Sequence, residues 1–131
     1  HMTDADDPDT SVTDAMTQAT ARAVDELGIR TILCISGSGF TVRSMARFRP
    51  AARIIGMSVN RRTVGQLTLS WGTEPLHLPE DGDLDDRVSA ALTAARDGGV
   101  VRVGELVGVL AGTDASSRST NALRIERVPE V

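Results

Sequence analysis

The chain has 131 residues, of which 40% are hydrophobic and 24% charged, and its formal net charge is −4. This composition is that of one ordinary globular domain with enough residues for a hydrophobic core. The negative charge argues against a nucleic-acid-binding protein, which normally presents a basic face. No apolar run approaches the length of a membrane span. We therefore expect no nucleic-acid partner and no membrane partner.

The N-terminal residues and the single cysteine indicate the compartment. His1 and Met2 resemble residues left by an expression vector, and residues 1–12, which include the acidic run TDADDPDT, are predicted to be a flexible tail. Residues 13–131 are predicted to form one α/β domain. No segment has the charged-then-apolar layout of a signal peptide. Cys34 is the only cysteine and lies in an apolar run, so we expect a cytoplasmic protein with a buried, unreactive thiol.

The first half of the chain alternates predicted helices with apolar strands. A helix is predicted over residues 13–27 and ends at Gly28. Its expected inner face consists of apolar residues at helical spacing: Met16, Ala19, Ala23, Val24 and Leu27. The runs RTILCIS and ARIIGMSV are typical of buried strands. A short helix is predicted between them, over residues 41–48, with three residues turned inward: Val42, Met45 and Ala46.

The second half continues this alternation and departs from it at the end. A third helix is predicted over residues 60–72 and a fourth over residues 84–96, with the strand EPLHLP between them. The fourth helix is expected to bury one apolar face: Leu84, Val88, Ala91, Leu92 and Ala95. The last two strands, ELVGVLAG and NALRIERV, have no helix between them. The pattern predicts an α/β fold of three layers, α/β/α, around a five-stranded mixed sheet whose last strand is antiparallel.

The loop after the first strand is the main candidate for a binding site. In α/β sheets of this kind ligands bind beyond the carboxyl ends of the strands, and this loop leads directly into a predicted helix. It offers backbone N–H groups, hydroxyl groups and the positive end of a helix dipole to a phosphate. The candidate phosphate-binding residues are Ser36, Gly37, Ser38, Gly39 and Thr41. Alternatively, the loop is only a turn whose serines cap the helix.

Two arginines follow this loop on the same predicted helix. Arg43 and Arg47 are four residues apart and therefore share a helix face. Their guanidinium groups could contact a bound phosphate or the carboxylates of a partner. The alternative is a solvated basic face or internal salt bridges.

Other familiar sites are excluded by single residues. A dinucleotide fingerprint requires a third glycine where Val42 stands, and the chain has no Gly-Lys-Ser/Thr phosphate loop. A calcium loop counted from Asp81 would need glycine at its sixth position and glutamate at its twelfth, where Asp86 and Leu92 stand. The acidic run EDGDLDD is therefore predicted to be the acidic start of a helix. His77 has no cysteine or second histidine near it in the sequence. We predict no metal site, no cofactor and no catalytic residue in this chain.

The order of these landmarks resembles the C-terminal α/β domain of pyruvate kinase. The most specific pieces are SGSGFTVR, RFRP, the run ending in LSWG, and a closing AG…TN before the last strand. The resemblance extends from about residue 13 to residue 128, nearly the whole chain. It implies a domain excised from such an enzyme or free-standing.

The resemblance also implies a function. In that family the C-terminal domain binds allosteric effectors, often phosphorylated sugars, and helps to build a homo-oligomer. The family's effector phosphate lies in the loop that corresponds to residues 36–41. The catalytic barrel, with its Mg and K ions, is a separate domain that transfers phosphoryl from phosphoenolpyruvate to ADP in glycolysis. This chain departs from members that bind fructose bisphosphate, because EDGDLDDRVSAA contains no tryptophan and Arg87 does not align with their arginine.

Two alternatives remain open from the sequence. Sugar-phosphate isomerase-type domains have a similar Ser-x-Ser-Gly-x-Thr loop, and their chemistry needs a general base, for which Glu74 and His77 are the available residues. The other alternative is a free-standing scaffold whose loop binds nothing.

Overall fold

The computed structural model describes most of the chain and shows two helices and five strands in the described residues. The described residues are 8–35, 42, 45, 51–58, 62, 64, 73–77, 82–111 and 122–130. Their helices and strands are, in chain order, α1 Pro8–Leu27, β1 Thr31–Ile35, β2 Arg53–Ser58, β3 Thr73–His77, α2 Leu84–Asp97, β4 Leu106–Ala111 and β5 Ala122–Arg127. The predicted helices over residues 41–48 and 60–72 lie largely outside these ranges. No helix within the described ranges is long and apolar enough to cross a membrane.

The strands form one mixed sheet in the order β3-β2-β1-β4-β5. β1 is parallel to β2 on one side and to β4 on the other, and β3 is parallel to β2. β5 is antiparallel to β4, which confirms the prediction for the last strand. The physical reason is the connection, because residues 112–121 are too few for the helical crossover that a parallel return requires.

Alternate residues of β1 pack on opposite faces of the sheet. Leu33 and Ile35 belong to a cluster that includes the inner face of α2. Ile32 and Cys34 belong to a second cluster that includes Val24 of α1. Because successive side chains of a strand point to opposite faces, the two helices cover the two sides of the sheet. The α/β class and the three layers are therefore confirmed.

The buried face of α1 differs from the prediction. Ala19 and Leu27, expected inside, are exposed, and Leu27 retains 51% of its accessible surface. Val24 is buried as predicted, but three threonines at helical spacing are buried as well: Thr13, Thr17 and Thr20. The hydroxyl of Thr17 donates to the Asp14 carbonyl at 2.9 Å, and that of Thr20 to the Met16 carbonyl at 2.7 Å. Because each hydroxyl has an acceptor on the helix itself, burying it leaves no polar group unsatisfied.

The ends of α1 also differ in how well they were predicted. The helix begins at Pro8, so residues 8–12 of the segment predicted to be a flexible tail are helical, and residues 1–7 lie outside the described ranges. Proline is tolerated there because the first N–H groups of a helix have no intrahelical acceptor. The predicted end at Gly28 is confirmed, since Gly28 has φ of 67° and the Ile29 N–H donates to the Val24 carbonyl at 3.0 Å.

The acidic residues before α2 cap that helix. The Asp86 N–H donates to Oδ1 of Asp83 at 2.9 Å, and the Asp83 N–H donates to Oδ2 of Asp86 at 3.3 Å. This reciprocal pair is a capping box, which confirms the predicted acidic helix start. The predicted inner face is also confirmed at four buried residues: Val88, Ala91, Leu92 and Ala95.

Candidate functional site

The carboxyl edge of the parallel strands contains the point where the strand order reverses. From β1 the chain continues to β2 and β3 on one side, whereas β4 lies on the other side of β1. β1 ends at Ile35 and β4 at Ala111. In open α/β sheets the crevice outside the strands at such a switch point is the usual ligand site.

The predicted phosphate-binding residues follow β1 directly in the sequence, but they lie outside the described residues. This applies to Ser36, Gly37, Ser38, Gly39, Thr41, Arg43 and Arg47. The structure does describe the residues on either side of residues 36–41. Ile35 is 6% exposed and Val42 is fully buried. The predicted loop therefore starts at the switch point and is bounded by two residues fixed in the core.

The two residues described after the loop are anchored on the α1 side of the sheet. Val42 and Met45, both predicted to point inward, are fully buried in one cluster with Cys34 and Leu110. Cys34 and Leu110 are register partners in β1 and β4. The packing of Val42 and Met45 thus connects the chain after the loop to the two strands that flank the switch point.

The start of α2 lies at the same edge, because α2 leads from the carboxyl end of β3 back to the amino end of β4. Arg87, in the first turns of this helix, is only 4% exposed and makes contacts within the protein. A buried guanidinium at the same edge of the sheet as the candidate anion site is a feature that sequence analysis missed. The available signal was its helical spacing, since Arg87 precedes the buried Ala91 and Ala95 by four and eight residues.

The carboxylates nearest this edge have structural partners. Asp83 and Asp86 form the capping box. Asp85 Oδ1 accepts a hydrogen bond from Nη1 of Arg124 at 2.6 Å, which ties α2 to β5. The hydrogen bond to Asp85, and to a smaller extent the hydrogen bond to Glu126, raises the pKa of Arg124 above its usual value. These contacts give the acidic side chains of residues 83–86, the described part of the run, a structural role.

The structure does not bring together Cys34 and His77, the two potentially reactive residues considered in the sequence. Cys34 is fully buried, and burial raises the pKa of its thiol to about 12, so the thiol stays protonated at neutral pH. This confirms the predicted buried thiol. His77 is the last residue of β3 and is aligned with Ser58 of β2. Within the described ranges, no group of three or more His, Cys, Asp or Glu side chains is arranged to hold a metal ion.

The parallel strands, the helices on both faces and the switch point between β1 and β4 define a doubly wound α/β domain. The particular family follows from comparison with known proteins. Residues 14–126 match the family described as pyruvate kinase, alpha/beta domain, and the chain belongs to that family. The sequence-based identification is thereby confirmed.

Individual relatives agree with this assignment. The chain is 31% identical over 125 residues to a pyruvate kinase from Methylorubrum extorquens, covering 95% of the chain and 26% of the relative. It is 30% identical over 117 residues to a pyruvate kinase from Lactobacillus delbrueckii subsp. bulgaricus, covering 88% and 20%. A solved pyruvate kinase from Cryptosporidium parvum shares the fold, with a TM-score of 0.77 at 20% identity over 90% of the chain and 23% of that protein. The chain thus spans about a fifth to a quarter of the length of these relatives.

Proposed function

We propose that this chain is the regulatory and assembly domain of a pyruvate kinase and binds a phosphorylated metabolite at residues 36–41. The parent enzyme would transfer phosphoryl from phosphoenolpyruvate to ADP, in the cytoplasm, with its metal ions on a separate barrel domain. The observation that carries the proposal is the position of the loop. It follows β1 at the switch point and is bounded by the buried Ile35 and Val42.

The residue types in the loop suit a phosphate. Gly37 and Gly39 allow the backbone to approach an oxyanion closely, and the hydroxyls of Ser36, Ser38 and Thr41 are donors. A helix N-terminus directly after the loop adds favourable partial charge. Arg43 and Arg47, on the helix predicted there from the sequence, and the buried Arg87 at the same edge carry full positive charge.

Regulation would work through differential affinity. An effector shifts an equilibrium between two quaternary states only if it binds one of them more tightly. A ligand at the switch point contacts a loop fixed to β1 and lies beside β4, so its binding could change how the domain presents its outer surface. The catalytic barrel of the parent enzyme would respond through that interface.

Assembly would use the edge of the sheet at β5, on which no further described strand is paired. β5 pairs with β4 on one side, and its other side is the end of the strand order. Ile125 is 38% exposed there. An open edge strand is a template for antiparallel pairing with a second copy about a two-fold axis. We expect sedimentation velocity to show a homodimer or larger assembly, and a monomer at high concentration would contradict this part of the proposal.

The phosphate site is tested by calorimetric titration of the protein with four ligands: glucose 6-phosphate, fructose 1,6-bisphosphate, ribose 5-phosphate and AMP. We expect saturable binding of at least one, abolished by Ser38→Asp because the new carboxylate repels the phosphate. Ser89→Asp is the matched control, since Ser89 is exposed on α2. Absence of binding by all four ligands, or equal binding by the Ser38→Asp protein, would contradict the proposal.

The isomerase alternative is not favoured by the fold. A general base must lie within hydrogen-bond reach of the substrate. Glu74 and His77 are both on β3, which β2 separates from β1 and its loop. The two strand spacings between β3 and β1 amount to about 10 Å.

A further inference from the structure

The opposite edge of the sheet, at the amino ends of the parallel strands, contains an open pocket of about 730 Å³. Its wall is formed by the end of α1, the first residues of β1 and β2, and the segment between α2 and β4. The residues that matter for its chemistry are Arg30, Thr31, Arg53, Arg102 and Glu105. A volume of this size is that of a metabolite site rather than of a site for a bare ion.

The floor of this pocket, which we call the amino-edge pocket, is held by a chain of hydrogen bonds. Nη2 of Arg53 donates to the Val100 carbonyl and, at 3.3 Å, to the Thr31 hydroxyl. The Thr31 hydroxyl donates to Oε2 of Glu105 at 3.5 Å, and the Arg102 N–H donates to Oε1 of Glu105 at 3.0 Å. The Glu105 carboxylate is therefore engaged on both oxygens, and the Arg53 side chain is oriented before any ligand arrives.

Two arginines of the amino-edge pocket differ from the rest of the described chain. The structure describes nine arginines. Five have side-chain hydrogen bonds, namely Arg22, Arg53, Arg96, Arg124 and Arg127, and Arg62 and Arg87 also make interactions within the protein. The guanidinium groups of the other two, Arg30 and Arg102, have no such contact with any described residue. Both line the same pocket.

The charge of the amino-edge pocket is opposite to that of the whole chain. Three arginines face one glutamate around it, whereas the formal net charge of the protein is −4. Guanidinium groups bind carboxylates and phosphates with two parallel hydrogen bonds. Val100, Val103 and Leu106 supply apolar lining for the body of a ligand.

From these observations we infer that the amino-edge pocket is a second anion site, which binds a small metabolite carrying at least two phosphate or carboxylate groups. Arg30 and Arg102 bind the anionic groups, and Arg53 forms the charged floor. The pocket lies at the amino ends of the parallel strands, whereas residues 36–41 follow Ile35 at the carboxyl end of β1 in the sequence, so we expect the two sites to be separate.

The test uses inorganic pyrophosphate and citrate as probes, titrated separately into the ¹⁵N-labelled protein and followed by amide chemical shifts. We expect saturable shifts at Arg30, Thr31 and the amides of residues 102–105. Arg30→Gln and Arg102→Gln should each weaken binding about tenfold, the effect of losing one charged hydrogen-bonding partner at an open site. The matched control is Arg22→Gln, an exposed arginine on α1 outside the pocket, and it should leave binding unchanged.

A Ser38→Asp protein separates this site from the effector loop. Binding of either probe at the amino-edge pocket should persist in it, and the preferred probe shows whether phosphate or carboxylate groups are recognised. The inference is overturned by the absence of saturable shifts with both probes, by equal binding to the Arg102→Gln protein, or by shifts that disappear in the Ser38→Asp protein.

Discussion

The threonine face of α1 gives a sharp test of how this helix is oriented. Thr20 is fully buried, whereas its neighbour Ala19 is exposed, although the apolar pattern of the sequence predicts the reverse for Ala19. An aspartate placed at each position in turn makes the same chemical change on two sides of one helix. We expect Thr20→Asp to be strongly destabilising and Ala19→Asp to be nearly harmless.

The magnitude follows from the chemistry of a buried carboxyl group. At pH 7 a carboxyl with the ordinary pKa of about 3.9 can avoid burying its charge by taking up a proton, which costs about 4 kcal/mol. The penalty for Thr20→Asp is therefore about 4 kcal/mol, with about 1 kcal/mol more for a poorly satisfied neutral carboxyl. Ala19→Asp should cost only its helix propensity, about 0.6 kcal/mol.

The pH dependence has a definite sign. The buried carboxyl would have a raised pKa in the folded state, so stability falls as pH rises above the unfolded-state value. The destabilisation by Thr20→Asp should decrease by about 1.4 kcal/mol for each pH unit as the pH is lowered from 7 towards 4. Urea denaturation at pH 7 and pH 5, followed by circular dichroism, measures both effects. A Thr20→Asp protein within about 1 kcal/mol of Ala19→Asp at pH 7 would refute the orientation described for α1.

Three further predictions concern other parts of the fold. Asp83→Ala should lower the free energy of unfolding by about 1 kcal/mol through loss of the α2 cap. Asp83→Asn should retain most of the stability that the cap contributes, measured in the same urea assay. Equal losses of stability in the two variants would contradict the capping role. Cys34 should not react with a thiol reagent at pH 8 until urea is added, since burial raises its pKa to about 12; fast reaction in the native protein would show that the thiol is accessible. Ile125→Arg should convert the proposed assembly to a monomer in sedimentation velocity. Val12→Arg, at a similarly exposed residue of α1, should leave the assembly unchanged. An unchanged assembly in the Ile125→Arg protein would exclude the β5 edge as the interface.

Much of the fold could be predicted because local patterns determined it. The apolar runs of β1, β2 and β4 are buried on both faces, which gives continuous rather than alternating hydrophobicity. The antiparallel last strand followed from the short connection after β4. The face of α1 could not be predicted from apolar spacing, because threonine hydroxyls that bond to the helix carbonyls bury as readily as apolar groups.

The candidate sites also differ in how far the sequence could indicate them. The loop at residues 36–41 is a continuous segment, so the sequence alone could indicate it as a candidate phosphate site, and that assignment stays a prediction. The amino-edge pocket was not, because Arg30, Arg53 and Arg102 come from three separate segments that only the parallel register brings together. Arg87 was missed for a different reason. Its buried position depends on the face of α2 that packs on the sheet, and an arginine in an acidic run is normally solvated.

The switch point also divides the domain along the chain. β1 to β3 pair among themselves and β4 pairs with the adjacent β5. Among the described strands the two groups are hydrogen-bonded to each other only at the β1–β4 pairing, where Ile32 is opposite Gly108. That pairing joins the most distant strand partners in the sequence, so we expect its closure entropy to make it the slow step of sheet assembly. A metabolite bound at the switch point would contact both strands of the β1–β4 pairing. Its occupancy should therefore slow the separation of the two halves and protect the β1–β4 amides from hydrogen exchange.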